Sequence, residues 1–151
     1  MKLTCPVFGP GDMIPERYAR RNGNVSPALV WSDVPSQAKS LALVVDDPDA
    51  PNGRFVHWLV YHIPPDIKSL DEGVESRGEL SNGLRQGTNG FGNVGYGGPQ
   101  PPSGTHRYQF HLYALDRDVD LPPGASPSEL DSAINGHIVE ETELVGKYRA
   151  K

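Results

Sequence analysis

The 151-residue chain has a single cysteine, Cys5, which rules out an internal disulfide and a cysteine-based zinc centre. Nor does it contain an apolar run long enough to cross a bilayer, which argues against an integral membrane protein. The opening Met1-Lys2-Leu3-Thr4-Cys5-Pro6 carries no secretion-type apolar stretch, so a soluble, cytoplasmic protein is expected. Positive charge is scarce and scattered: 14 Lys and Arg face 19 Asp and Glu, a formal net charge of -5. A nucleic-acid backbone calls for a basic stripe or patch, so nucleic acid is not an expected partner. No internal repeat, low-complexity tract or linker divides the sequence, and residues 1–151 read as one domain around one core. Asn24-Val25-Ser26 fits the N-glycosylation pattern, but Pro27 follows and no export signal precedes it, so the match is read as coincidence.

Glycine and proline are plentiful, 17 and 15 residues, and fall between apolar runs without a period. That is the pattern of turns in a loop-rich β protein. Ser40-Leu41-Ala42-Leu43-Val44-Val45 reads as a buried strand that stops at a stiff acidic loop, Asp46-Asp47-Pro48-Asp49-Ala50-Pro51. Asn52-Gly53 suits a tight turn, and Arg54 to Ile63 reads as the next strand, antiparallel to the first. A third strand, His106 to Leu115, follows a glycine-rich loop from about Gly87 to Gly104. Ser126-Pro127-Ser128-Glu129 combines a capping hydroxyl, a first-turn proline and a glutamate three residues on, which predicts a helix start. Leu130, Ile134 and Ile138 would form its apolar stripe, with a kink or break at Asn135-Gly136.

Three groups of side chains could carry chemistry: Asp46, Asp47 and Asp49 on the acidic loop, His57 on the following strand, and His106 with Tyr108 on the third. Strand side chains alternate with period two, so His106 and Tyr108 project from one face. Backbone amides of the Gly95-Tyr96-Gly97-Gly98-Pro99-Gln100-Pro101-Pro102 loop can form an anion nest. Taken singly, each feature has a plainer reading: a solvated turn, a packed histidine, an ordinary glycine loop. No Lys-Ser or Lys-Thr follows the glycines, so this is not a nucleotide P-loop.

Together, Asp47-Pro48-Asp49-Ala50-Pro51, His57-Trp58, and Gly98-Pro99 followed by His106-Arg107-Tyr108 closely resemble the two signature segments of the phosphatidylethanolamine-binding protein family. Gly23-Asn24-Val25-Ser26-Pro27, Trp31, Gly136-His137-Ile138 and Glu143 to Tyr148 extend the likeness towards its bacterial and archaeal Raf-kinase-inhibitor-like branch. The resemblance implies a mainly β, antiparallel fold with a second small sheet, peripheral helices and a C-terminal helix. It implies an anion site lined by Asp47, Asp49, Pro51, His57, Gly98, Pro99, His106 and Tyr108. It further implies a ligand-binding or regulatory role towards phosphate or phosphorylated headgroups, with a kinase or serine protease partner at the same pocket as the alternative, and a homodimer. Where prokaryotic relatives often carry cysteine, this chain has Arg20 or Arg21 and Gln100, which argues against a thiol-linked role. The chain also ends soon after Tyr148, whereas many eukaryotic members have a further C-terminal segment bordering the pocket.

An anion beside Asp47 and Asp49 needs compensating protons. The expected donors are a charged His57 or His106, the Tyr108 hydroxyl and a backbone N–H near Gly98, with an aspartate orienting one imidazole. An enzyme is not expected: Ser103 has no Gly-x-Ser-x-Gly surroundings, and no His-x-x-x-His pair suggests a metal. No cofactor or metal is expected either. A partner-recognition surface would use Trp58, Tyr96 and Phe91 as aromatic anchors. Pro51 and the prolines around Gly98 leave cis and trans both open.

Overall fold

The computed structural model describes residues 1–151. Eight strands run in chain order as β1 (Lys2–Thr4), β2 (Leu29–Ser32), β3 (Ser40–Asp47), β4 (Phe55–Ile63), β5 (Ser69–Leu70), β6 (Arg85–Gln86), β7 (Thr105–Leu115) and β8 (Ile138–Arg149). One α-helix, α1 (Pro127–Ile134), precedes β8, and a 3-10 turn covers Glu16–Tyr18. The small sheet is ordered β1-β2-β5 and the large one β6-β4-β3-β7-β8, with every pairing between strands antiparallel. The mainly β fold with two sheets and one helix near the C-terminus is as expected.

β3 lies at the centre of the large sheet and is buried on both faces, which explains its unbroken apolar run. Leu41, Leu43 and Val45 join Trp31, Trp58 and Phe110 in the main core, on the side that also packs Leu3 and Leu29 of the small sheet. Ala42 and Val44 point the other way, into a second cluster with Leu59, Tyr61, Leu130 and Ile134. The helix therefore covers one face of the large sheet and the small sheet covers the other.

Helix α1 begins as the sequence predicts. The Ser126 side chain accepts from Glu129 N, and Glu129 answers by accepting from Ser126 N at 2.9 Å. It stops at Ile134, and Gly136 supplies the positive φ of 81° at which the chain turns back. Ile138 is thus not a third residue of the helical stripe. It opens β8 and is 43% exposed.

Strand β8 is the largest element absent from the sequence reading. It pairs with β7 from Thr105↔Arg149 to Leu115↔Ile138. The outer edge of its second half is closed by the segment before the 3-10 turn, through Gly11 N to Val145 O at 2.8 Å and Ile14 N to Lys147 O at 2.7 Å.

Two register shifts interrupt the β3–β4 pairing. At the second, Val45 faces Trp58 but Asp46 faces Val56, which leaves His57 as the extra residue of a bulge. The bulge turns His57 to the same side of the sheet as Trp58, when strict alternation would put the two on opposite sides. All peptide bonds are trans, including those to the prolines whose isomer was open.

Candidate functional site

Antiparallel pairing brings the end of β3 beside the starts of β4 and β7, so Asp47, His57, His106 and Tyr108 meet at one end of the large sheet. They line a cavity of about 180 Å³, walled also by Ala50, Pro51, Phe55, Phe91 and the Gln100–Pro102 strip. That volume lies below the range usual for drug-sized ligands. The space suits a small group, and none of its lining residues is a lysine or arginine.

Asp46 and Asp47 are strand residues, 5% and 3% exposed, and not members of a solvated loop. Asp47 Oδ1 accepts from Asp49 N at 2.8 Å, and its Oδ2 lies 2.6 Å from His106 Nδ1. A carboxylate accepts, so Nδ1 donates and Nε2 is the His106 nitrogen left for a ligand. An aspartate does orient an imidazole through its other nitrogen, as the sequence led us to expect. Asp46 faces away, towards α1. Burial alone would raise its pKa, but hydrogen bonds from His111 and Arg54 outweigh it and the net shift is downward.

His57 Nδ1 lies 2.7 Å from the Gly97 carbonyl, which can only accept, so this nitrogen also donates. Burial pushes the His57 pKa down, against the Gly97 hydrogen bond, which favours the neutral ring with its lone pair on Nε2. Its orientation is held by rings on three sides, at 5.0 Å from Phe55, 5.5 Å from Phe91 and 5.1 Å from Tyr108. His57 is therefore better placed to accept than to donate as a cation, which leaves that role to His106, the other of the two histidines expected to fill it.

Tyr108 is 1% exposed, and its hydroxyl, with the Asp47 carboxylate and the Gln100 backbone its nearest polar neighbours, makes no hydrogen bond of ordinary geometry. Burial, followed by the nearby Asp47 charge, raises its pKa and keeps it a protonated donor. His106 and Tyr108 share the inward face of β7 with Phe110, as period-two alternation requires.

Three expected residues lie outside the cavity lining. Asp49 turns to the outer face of β7 and accepts from Arg107 N, Nε and Nη2 at 2.9, 3.0 and 2.7 Å. That pairing holds its carboxyl at about 2. Gly98 donates its N–H to Asn24 Oδ1 at 2.8 Å, so this amide is not free for a ligand. A Cβ there would lie 2.2 Å from the Tyr18 carbonyl oxygen, which is why the position has no side chain. Pro99 borders a neighbouring cleft of about 280 Å³ that shares the Gln100–Pro102 strip. Asp47, Pro51, His57, His106 and Tyr108 do come together. Sequence reasoning named Phe91 only as a surface anchor and passed over Phe55, although its place two residues before His57 was a signal.

Trp58 and Tyr96 are core residues, 0% and 8% exposed, and offer no anchor to a partner. Ser103 is exposed and outside the cavity. Donor atoms of His62, Asp118 and Asp120 lie within 4.8 Å of one another further along β4, but Arg85 already engages Asp120 at 2.9 Å. No helix is long and apolar enough to cross a membrane.

The family model described as phosphatidylethanolamine-binding protein matches residues 4–149. A UPF0098 protein of Methanothermobacter thermautotrophicus is 49% identical over 149 residues, covering 99% of both chains. A solved phosphatidylethanolamine-binding protein homologue from Chlamydia trachomatis is 39% identical, with a TM-score of 0.89 over 99% of this chain and 97% of its own. Escherichia coli YbcL, described as a member of the mammalian PEBP family, is 32% identical, with a TM-score of 0.92 over 99% and 98%.

Proposed function

Given that the chain belongs to the phosphatidylethanolamine-binding protein family, we propose that it is a binding and regulatory protein whose cavity takes a phosphate group, free or as a phosphomonoester. The observation that carries this reading is the Tyr108 hydroxyl, buried without a partner in the wall of a cavity made for a small guest. A buried polar group left unpaired costs about 1–3 kcal/mol, and a bound anion would supply its missing acceptor.

The other groups fit the same guest. His106, oriented by Asp47, offers Nε2–H to an anion when charged, and Tyr108 offers its O–H. His57 Nε2 accepts, which suits the hydroxyl of a singly protonated phosphate. Regulation of a kinase or protease through the same cavity is the alternative, but no exposed aromatic anchor favours it.

Calorimetric titration of phosphate into the intact protein and into His106→Asn, at about pH 6 and pH 8, tests the reading, because these values straddle the ordinary histidine range. Sulfate, whose charge is constant over this interval, serves as the control for titration of the ligand itself. Both anions should bind more tightly at the lower pH and lose most of their affinity in the variant. Affinity for sulfate that stays level with pH would sink the proton-coupled model. No binding of either anion would sink the proposal.

A further inference from the structure

The cavity wall holds no lysine or arginine, but an arginine stands directly behind it. The Arg20 guanidinium carbon lies 3.9 Å from the centroid of the Phe91 ring, and Arg20 Nη1 donates to Gln100 Oε1 at 3.0 Å. Phe91 and Gln100 both line the cavity. Backbone contacts fix the position, since Arg20 N donates to Pro99 O at 3.1 Å and Gly98 packs against Ala19 and Arg20 without room for a Cβ. The arginine ion pairs in the molecule involve Arg17, Arg54, Arg77, Arg85 and Arg107, so the Arg20 charge is not neutralised by a carboxylate.

Consider what a ligand ammonium would meet there. Both Asp47 oxygens are engaged, by His106 and by Asp49 N, and Asp49 is held by Arg107. A cation could otherwise settle on an aromatic face, but Arg20 already covers one face of Phe91. Once His106 is charged, as the anion reading requires, it offsets the Asp47 carboxylate, and the Arg20 guanidinium, which has no carboxylate partner, attracts a phosphate and repels an amine attached to it. We infer that Arg20 makes this a charge-selecting pocket, preferring phosphomonoesters without an amino group to zwitterionic esters such as phosphorylethanolamine; this rests on the anion reading above.

Two esters of equal size separate the cases: 2-hydroxyethyl phosphate and O-phosphorylethanolamine, which differ in a hydroxyl against an ammonium. The intact protein should bind the hydroxyethyl ester about fivefold more tightly, the size expected for like charges on either side of a partly solvated wall. Arg20→Gln should shrink the ratio to below about twofold, chiefly by weakening the hydroxyethyl ester, and Arg20→Lys should keep most of it. A merely structural Arg20 would weaken both esters alike in both variants, leaving the ratio unchanged. Equal affinities in the intact protein, or a ratio that survives Arg20→Gln, overturn the charge-selecting role and leave the anion pocket standing. Failure of both esters to bind the intact protein overturns the anion reading and this role together. The first comparison needs no variant, so equal affinities overturn the role even if the variants fold poorly.

Discussion

Replacing Tyr108 with phenylalanine should move stability and binding in opposite directions. In the folded protein the hydroxyl has left water and found no partner, at 1% residue exposure. Such a group costs about 1–3 kcal/mol, and phenylalanine keeps the ring while deleting the oxygen. Allowing for a small gap where the oxygen stood, the ligand-free variant should gain about 1 kcal/mol. For a domain of this size that corresponds to a melting temperature roughly 3 °C higher. The same oxygen is a donor to a bound anion, and hydrogen bonds to charged groups contribute about 1.5–3 kcal/mol. Phosphate affinity should therefore fall by about 10–100-fold. Denaturant titration without phosphate gives the first quantity and calorimetry the second. A ligand-free variant less stable than the parent by 1 kcal/mol or so would mean that the hydroxyl already has a partner. Undiminished phosphate affinity would mean that the hydroxyl does not touch the ligand. Either result refutes the reasoning.

The lowered pKa of His57 makes stability acid-sensitive: the unfolded ring takes up a proton near its ordinary pKa of about 6.5, whereas the buried ring resists it. Its contribution is fully present above that pH and is lost as pH falls towards the depressed folded value, by at most about 1.4 kcal/mol per pH unit. Denaturation midpoints at about pH 7 and pH 5 should converge in His57→Phe, and an unchanged pH slope would remove His57 as the cause. Gly98→Ala drives a Cβ to 2.2 Å from the Tyr18 carbonyl and 2.8 Å from Arg20 N, both backbone, so it should cost more than about 3 kcal/mol. A soluble Gly98→Ala protein with a parental melting curve would show that the 18–20 segment yields. Asp49→Asn breaks an exposed pair with Arg107 outside the cavity lining and should leave phosphate affinity within about twofold. A tenfold loss would place Asp49 back in the site.

Much of the architecture could be read from local pattern. The continuous apolar run at Ser40–Val45, the β-rich stretch before Ile63 and the alternation after His106 each became a strand, because a short apolar run and a period-two alternation are both local properties of the chain. The capping box at Ser126 behaved likewise, since its partners lie within one turn. Strand β8 escaped notice because its first half, Ile138 to Glu143, is a largely exposed edge rich in glutamate. Its extended form comes from pairing with β7 and not from its own composition.

By itself the sequence determined the residue types of the pocket and the shared face of His106 and Tyr108, which follows from the geometry of an extended chain. Only the tertiary structure decided what each residue faces. Asp47 is held by a histidine 59 positions away, Asp49 is drawn off by Arg107, and the Gly98 amide is taken by Asn24, 74 positions away. The bulge that turns His57 towards Tyr108 depends on the β3–β4 register, which is set by the packing of two cores and not by any neighbour in sequence. Arg20 and Gln100, 80 positions apart, meet only because the glycine-rich loop packs tightly on the 18–20 segment. Local steric preference carries along the chain, whereas hydrogen bonds and charges act across space, and the fold alone brings those partners within reach.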